Sequence, residues 1–500
     1  MNKKNFLKNI ISSLALQICV LLYGFIVPIF IIKQYGSETN GLVSSITQFL
    51  AYITLLEAGI GPIIKNALFK PIVKKDVEKI KKILGATNRF FKKIAYAFIL
   101  YLIILCFVYP QFINSNFSTC YTLSLIIIIF ISRFFEYFIG ITYKMFLQAD
   151  QKNYIVDYLN CFSYIINLVL IVILIKLECS IQVVKLSSAF IYVLKSLYLK
   201  VYFERKYGYK IKNDNDYKLE KQWDGVAHHI ASTVQSNTDV VVLSIFRNLT
   251  EVSIYSVYSL IINGIRSIIV SLTNGVDAFF GKLMIYKSEE EINQKFTLYS
   301  FIFYTITTIL LSCCLFLSIP FISIYTKEIN DANYIQPIFA YFLIFAEFNY
   351  IIRYPYSTIV YAKGHFKETR NFSIAEPIIN IVLSILLVQK YGLIGVAIGT
   401  LISMSVRSFG FIIYASKKIL KINIKESLKL IFLSLFEMLI YFFVHLYIGN
   451  IIVNSYFQWF LLSLLIFVII SIITIIINCL LYRKIFKRII NLFFERKIKK

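Results

Sequence analysis

Apolar runs of about 20 residues, the length at which a helix crosses the hydrocarbon of a bilayer, recur along the whole chain with short polar breaks between them. They predict helices near 10–32, 41–64, 94–113, 121–146, 154–175 and 183–203. A second series follows near 223–246, 252–280, 296–325, 335–360, 373–389, 394–414, 428–449 and 456–480. The expected fold class is all-α integral membrane, with about fourteen transmembrane helices. The first run, Ile10 to Ile32, is longer than the core of about 7–15 apolar residues in a signal peptide and has no small-x-small cleavage site. It reads as a retained first helix.

Composition agrees, with 58% hydrophobic residues against about 45–50% in soluble domains. The net charge of +25 does not indicate a nucleic-acid partner. Such a protein gathers Lys and Arg on one soluble face, whereas here they lie in the breaks between runs. Their distribution orients the chain instead. The segments on the N-terminal side hold about forty basic residues, while the opposite loops hold only Lys33, Lys176, Arg247, Lys327 and Lys390, so both termini are expected in the cytoplasm.

Two basic segments also alternate with apolar positions. One carries Ile72, Val73, Val77, Ile80, Ile83 and Leu84, and the other is the tail around Ile485, Phe486, Ile489, Ile490 and Phe493. Each fits a helix lying on anionic membrane lipids, or a plain topology signal. Most of the eight cysteines sit inside apolar runs, where Cys acts as a small hydrophobe. Only Cys120 and Cys179 fall in expected outer loops, where a disulfide is conceivable.

The chain repeats itself weakly at an offset of 213 residues. Tyr164-Ile165-Ile166-Asn167-Leu168-Val169-Leu170 aligns with Pro377-Ile378-Ile379-Asn380-Ile381-Val382-Leu383, and the register extends back to Tyr137 with Tyr350 and Ala149 with Ala362. The offset corresponds to six crossings, an even number, so the halves run parallel about an axis along the membrane normal. The expected organisation is a six-helix lobe over 1–203, a cytoplasmic linker over 204–222, a second six-helix lobe over 223–414, and two further helices with a basic tail over 415–500.

Charges inside spans are costly, about 2.5–3.5 kcal/mol each at the centre, so each is a functional candidate or half of a pair. The cations are Arg133, Arg266, Arg353 and Arg407, and the anions nearest mid-span are Glu136, Asp239, Glu347 and Glu437. Arg133 and Glu136 stand three apart on one face and can neutralise each other. Arg266, with only Asn263 on its face, and Arg353, with Asn349 one turn away, are the candidates for holding an anion. A guanidinium forks onto phosphate oxygens, although a pair with Asp239 or Glu347 is the competing expectation.

The polar run Gln235-Ser236-Asn237-Thr238-Asp239 is expected to line a water-filled cavity. Glu57, before Gly59-Ile60-Gly61-Pro62 where a helix could bend, either takes up a coupling ion or snorkels to the interface; Asp239 is the second ion-coupling candidate. His228-His229 has no third ligand nearby, and no metal or catalytic residue is assigned.

In the order Leu55-Leu56-Glu57-Ala58-Gly59-Ile60-Gly61-Pro62, Asn237-Thr238-Asp239-Val240-Val241-Val242-Leu243, and Glu376-Pro377-Ile378-Ile379-Asn380 followed by Tyr391-Gly392-Leu393-Ile394-Gly395, the sequence resembles the Wzx-type polysaccharide flippases of the multidrug/oligosaccharidyl-lipid/polysaccharide (MOP) superfamily over nearly its full length. The resemblance implies two six-helix lobes around a cationic cavity in the bacterial cytoplasmic (inner) membrane. It implies an undecaprenyl-pyrophosphate-linked oligosaccharide as cargo, for O-antigen, capsule or exopolysaccharide assembly. An H+ or Na+ gradient is implied as the drive, with a polysaccharide polymerase and a chain-length regulator as partners.

Spans 1 and 2 contain no Arg, unlike the lipid II flippases of that superfamily, and span 1 lacks the Asp common in its bacterial multidrug exporters. A multidrug/cation exporter is the first alternative. The second is a membrane polymerase or ligase, disfavoured because the expected outer loops are short.

Overall fold

A computed structural model describes residues 3–57, 59–113, 115–208, 211, 217, 223–273, 275–449 and 451–486, so most of the expected linker and the basic tail beyond Phe486 lie outside the described residues. Among the described residues the chain is helical, with no strand. The helices are α1 (Lys3–Tyr35), α2 (Ser37–Ala51), α3 (Ile60–Lys74), α4 (Val77–Phe112), α5 (Thr119–Phe135), α6 (Ile141–Ala149), α7 (Asn153–Lys176), α8 (Ile181–Tyr207) and α9 (Trp223–Phe246). They continue with α10 (Leu249–Ser271), α11 (Val276–Tyr286), α12 (Glu289–Tyr325), α13 (Pro337–Ile352), α14 (Tyr354–Lys363), α15 (Phe366–Tyr414), α16 (Ile424–Ile448) and α17 (Tyr456–Leu481).

All fourteen apolar runs are helical, and the fold is the expected all-α membrane architecture. Nine stretches of the described residues are long and apolar enough to cross a membrane, or ten when the bent pair α2–α3 is counted. One of the nine, 366–420, holds two runs. Three other runs fall short for visible reasons. In α8 the lysines 185, 195 and 200 interrupt the apolar sequence, in α9 the run Gln235 to Asp239 does so, and α13 and α14 are separated at Arg353.

Where a run breaks, local chemistry supplies the cause. The second span bends by 47° between its two helices, with Gly59 at φ 68°, at the place where the glycines suggested a weak helix end. In α15, Gly392 adopts φ 54° and ψ −130°, open only to glycine, and the chain turns back so that 366–391 and 393–414 form an antiparallel hairpin. Polar caps fix other starts: the side chains of Asp76, Ser118, Ser288, Asn423 and Ser455 each accept from a backbone N–H in the first turn of the helix that follows.

The segment 72–84 is not one surface helix. It divides at Lys75–Asp76 between the end of α3 and the start of α4, and Ile80, Ile83 and Leu84 are buried in the protein while Val73 and Val77 face outward. Tertiary burial claims the apolar face that the pattern assigned to lipid. Cys120 and Cys179 are free thiols.

The chain forms two compact units, Met1–Val257 and Tyr258–Lys500. This division differs from the expected lobes. Helix α9, expected to open the second, belongs to the first unit, where it packs on α2 and on the turn Tyr52–Glu57. Ser45 accounts for part of that attachment, since both Ser244 Oγ and Tyr109 Oη lie within 2.8 Å of its hydroxyl.

The repeat has a structural counterpart. Asn167 and Asn380 are both fully buried, and each amide oxygen accepts from a hydroxyl on the segment that follows: Ser188 of α8 at 2.7 Å in the first unit, Thr400 on the second arm of α15 at 3.2 Å in the second. Truncating either removes side-chain hydrogen bonds of a buried amide, those of Asn167 with Ser188 and Tyr23 or those of Asn380 with Thr400 and Ser384, so Asn167→Ala and Asn380→Ala should each lower stability by about 1–3 kcal/mol. Thermal unfolding in detergent checks this; a neutral result for either would remove that asparagine from the framework.

Candidate functional site

The first unit encloses a cavity of ≈ 600 Å³ bordered by α1, α2 and α5 through α8. Its wall carries Arg133, Lys144, Lys185 and Lys195 but a single acid, Glu136, together with Asn160 and the phenols Tyr23, Tyr164 and Tyr192. The span that supplies Arg133 and Glu136 is not a continuous α-helix. A π-helical turn, Glu136–Gly140, interrupts it, and such a turn re-aims the side chains it carries. A Cβ on Gly140 would lie 2.9 Å from Ser196 Oγ, so a larger residue there would have to displace that hydroxyl of α8. Lys195, next to Ser196, reaches the same wall.

The pairing inside this cavity differs from the sequence expectation. Glu136 is approached by Lys144 at 3.7 Å, not by Arg133 three residues before it. Lys195 Nζ donates to Asn160 Oδ1 at 3.2 Å and sits 5.1 Å from the centre of the Tyr192 ring. Arg133 and Lys185 form no ion pair among the described residues. Four cations against one carboxylate leave an excess of positive charge within helices that otherwise read as membrane spans, an arrangement that favours water or an anion over an empty apolar void. Lys144, Lys185 and Lys195 are not among the in-span cations expected above, which are all arginines. Lys185 and Lys195 lie within 183–203 and were visible there.

The other first-unit candidates sit elsewhere. Glu57 accepts a hydrogen bond from the Tyr137 phenol, so the carboxylate is turned into the protein and does not snorkel. Asp239 is buried and accepts from Tyr255 Oη at 2.7 Å. Gln235, Asn237 and Thr238 are buried as well. Most of the polar run expected to line water is therefore packed against protein, because α9 lies on α2.

In the second unit the two arginines expected to be available are paired. Arg266 forks onto Glu347, with Nε 2.8 Å from Oε1 and Nη2 bonded to Oε2. Arg353 Nη1 lies 2.9 Å from Glu376 Oε1, and Arg407 Nη1 lies 2.5 Å from Glu376 Oε2. The Tyr350 ring lies between the first two, 4.3 Å from the Arg266 guanidinium and 4.1 Å from that of Arg353.

The result is a ladder, Glu347–Arg266–Tyr350–Arg353–Glu376–Arg407, joining α10, α13 and both arms of α15, with Arg266 and Tyr350 half-buried and the other four side chains buried. Asn349 does not assist Arg353: its side-chain amide donates to Ser405 Oγ at 2.8 Å, and its backbone carbonyl accepts from Ser408 Oγ at 2.5 Å. Asn263 lies on the exposed side of α10. Glu376 was read only as part of a motif. Its role as the shared anion of two arginines was the main omission.

With these features in hand, the comparisons with known proteins place the fold. No family model and no curated protein matches the sequence. Solved structures do. A lipid II flippase, MurJ, in an inward closed conformation aligns over 95% of this chain and 100% of its own, with a TM-score of 0.67 and 18% identity. An inward-facing multidrug resistance transporter of the MATE family, within the MOP superfamily, aligns over 84% of this chain and 99% of its own, with a TM-score of 0.65 and 13% identity.

A MOP superfamily transporter from Pyrococcus furiosus, described as having a binding pocket of reversed polarity, aligns over 84% of this chain and 97% of its own, with a TM-score of 0.52 and 13% identity. The chain thus has the fold of the MOP transporters. At these identities the likeness establishes architecture alone.

Proposed function

We propose that this protein is a transporter without covalent chemistry that carries an undecaprenyl-pyrophosphate-linked oligosaccharide outward across the bacterial cytoplasmic membrane by alternating access, for O-antigen, capsule or exopolysaccharide assembly. The observation that carries the reading is the first-unit cavity with Arg133, Lys144, Lys185 and Lys195 around a single Glu136. Guanidinium and ammonium groups together suit a pyrophosphate, the first as a fork and the second as point charges. The phenols of Tyr23, Tyr164 and Tyr192 and the amide of Asn160 offer stacking faces and hydrogen bonds to the adjoining sugar. A volume of ≈ 600 Å³ falls within the range of small-ligand sites, about 300–1,000 Å³, which accommodates a headgroup but not a long glycan. The remainder of the oligosaccharide extends beyond it.

The second-unit arginines then act mainly as structure, holding α13 to the α15 hairpin, with Arg266, the most exposed of the three, nearest to a role in binding. The rival cation exporter fits poorly, because this cavity repels cationic cargo. The rival polymerase or ligase would need an extensive outer loop, and the connections after α7 and α9 are only a few residues long. A polymerase and a chain-length regulator remain the partners to which the cargo would pass.

The direct test is native mass spectrometry of the purified full chain with undecaprenyl pyrophosphate and, separately, with a lipophilic cation. The pyrophosphate lipid should be retained and the cation should not. Retention of the cation alone would overturn the reading.

A further inference from the structure

Helix α16 carries a polar stripe that the anion cavity does not use. Ser427, Ser434, Glu437, Tyr441 and His445 are all buried, and their spacings of three, four and seven residues set them along one side of the helix. From Ser427 to His445 the rise is about 27 Å at 1.5 Å per residue, close to the roughly 30 Å of bilayer hydrocarbon. Hydrogen bonds tie the stripe to its neighbours. Ser416 Oγ and Ser427 Oγ are 2.6 Å apart, Tyr441 Oη is 2.9 Å from Thr474 Oγ1 of α17, and His445 Nε2 is 2.9 Å from Tyr341 Oη of α13.

Two atoms of the stripe are buried without a partner among the described residues, Glu437 Oε1 and His445 Nδ1, and Glu437 is only 1% exposed. Helix α12, which packs on both α16 and α17, also carries the buried hydroxyls of Thr308 and Ser312, which have no partner among the described residues. No basic group faces this carboxyl among the described residues. Lys425 and Lys429 of α16, and Lys417 and Lys418 of the preceding segment, are exposed. The titratable groups that face the stripe among the described residues are Cys313 of α12 against Tyr441, Tyr341 of α13 against His445, and Tyr356 of α14, whose phenol donates to the Ser427 carbonyl at 3.1 Å. Thr474 and Asn478, the buried polar residues of α17, carry no charge. An unpaired carboxylate at such a place costs several kcal/mol, whereas a bound proton removes the charge.

We propose that Glu437 is a proton-binding site and that the α16 stripe conducts the coupling proton. One proton enters at the His445 end, expected outside, converts the Glu437 carboxylate to the acid, and leaves at the Ser427 end, so one positive charge crosses inward per cycle. This rests on the transport reading above and names H+ as its coupling ion.

The test uses the full-length protein reconstituted in liposomes, as wild type, Glu437→Gln and Tyr441→Phe. Infrared difference spectra between acidic and alkaline buffers should show the carbonyl band of a protonated carboxyl that titrates in wild type and is missing from Glu437→Gln. An unchanged band in Glu437→Gln would overturn the proposal. The second readout is the response of lipid-linked oligosaccharide movement to an imposed pH gradient. Glu437→Gln should lose that response and Tyr441→Phe should weaken it, whereas a full response in Glu437→Gln would overturn the proposal. If wild type moves no lipid-linked oligosaccharide under any gradient, the transport reading fails, and the infrared band decides the proton site by itself.

Discussion

Glu376→Gln should abolish folded protein. Its two carboxylate oxygens are bonded separately to Arg353 and Arg407, all three side chains are more than nine-tenths buried, and among the described residues no other anion is bonded to either guanidinium. Removing the charge leaves two guanidinium groups facing each other inside an apolar helix hairpin. Breaking one buried ion pair costs about 3–5 kcal/mol, and here a single substitution breaks two, against a total stability of roughly 5–15 kcal/mol. Size-exclusion profiles of a fluorescent fusion should show aggregate in place of the monodisperse peak. Arg353→Ala should be milder, since Arg407 still balances Glu376. It should nevertheless lower the yield, which separates a structural arginine from one that only binds cargo. A Glu376→Gln variant as stable as wild type would mean that the ladder does not hold the α15 hairpin.

The second large effect should arise in the cavity and should leave folding intact. Lys185→Glu combined with Lys195→Glu reverses the sign of the wall, and neither lysine holds a structural ion pair. Hydrogen bonds to charged groups contribute about 1.5–3 kcal/mol each, so the loss of two should lower outward delivery by at least roughly 100-fold. Membrane insertion, measured by quantitative blotting, should stay near wild type, and Lys185→Arg with Lys195→Arg should restore much of the delivery. Were the protein a cation exporter, the same reversal would increase efflux, so the two readings predict opposite signs for one variant.

The membrane architecture was legible because lipid permits so few solutions. A span must satisfy its own backbone hydrogen bonds and present apolar side chains for about 20 residues, which leaves a periodic mark even where Gly59 or Gly392 interrupts the helix. The matched roles of Asn167 and Asn380 were also within reach, as a polar residue recurring at one offset. What the chain did not disclose was partnership. Arg266 meets Glu347 across 81 positions, Arg353 meets Glu376 across 23 and Arg407 meets Glu376 across 31, distances at which local spacing carries no information.

Locality misled in the other direction too. Arg133 and Glu136 have the spacing of an ion pair, yet the cation in direct contact with the carboxylate is Lys144 of α6, beyond the π turn, and Arg133 acts on it from farther away. The lysines of α8 were overlooked because in-span Lys so often extends to the interface. Only the convergence of several helices on one cavity shows that Lys185 and Lys195 point the other way.

The central claim, outward transport of a lipid-linked oligosaccharide, is tested most directly by following lipid-linked repeat units in cells depleted of this protein and lacking any other flippase. The units should accumulate on the cytoplasmic leaflet, inaccessible to a periplasmic glycosidase. Normal outward delivery in those cells would contradict it.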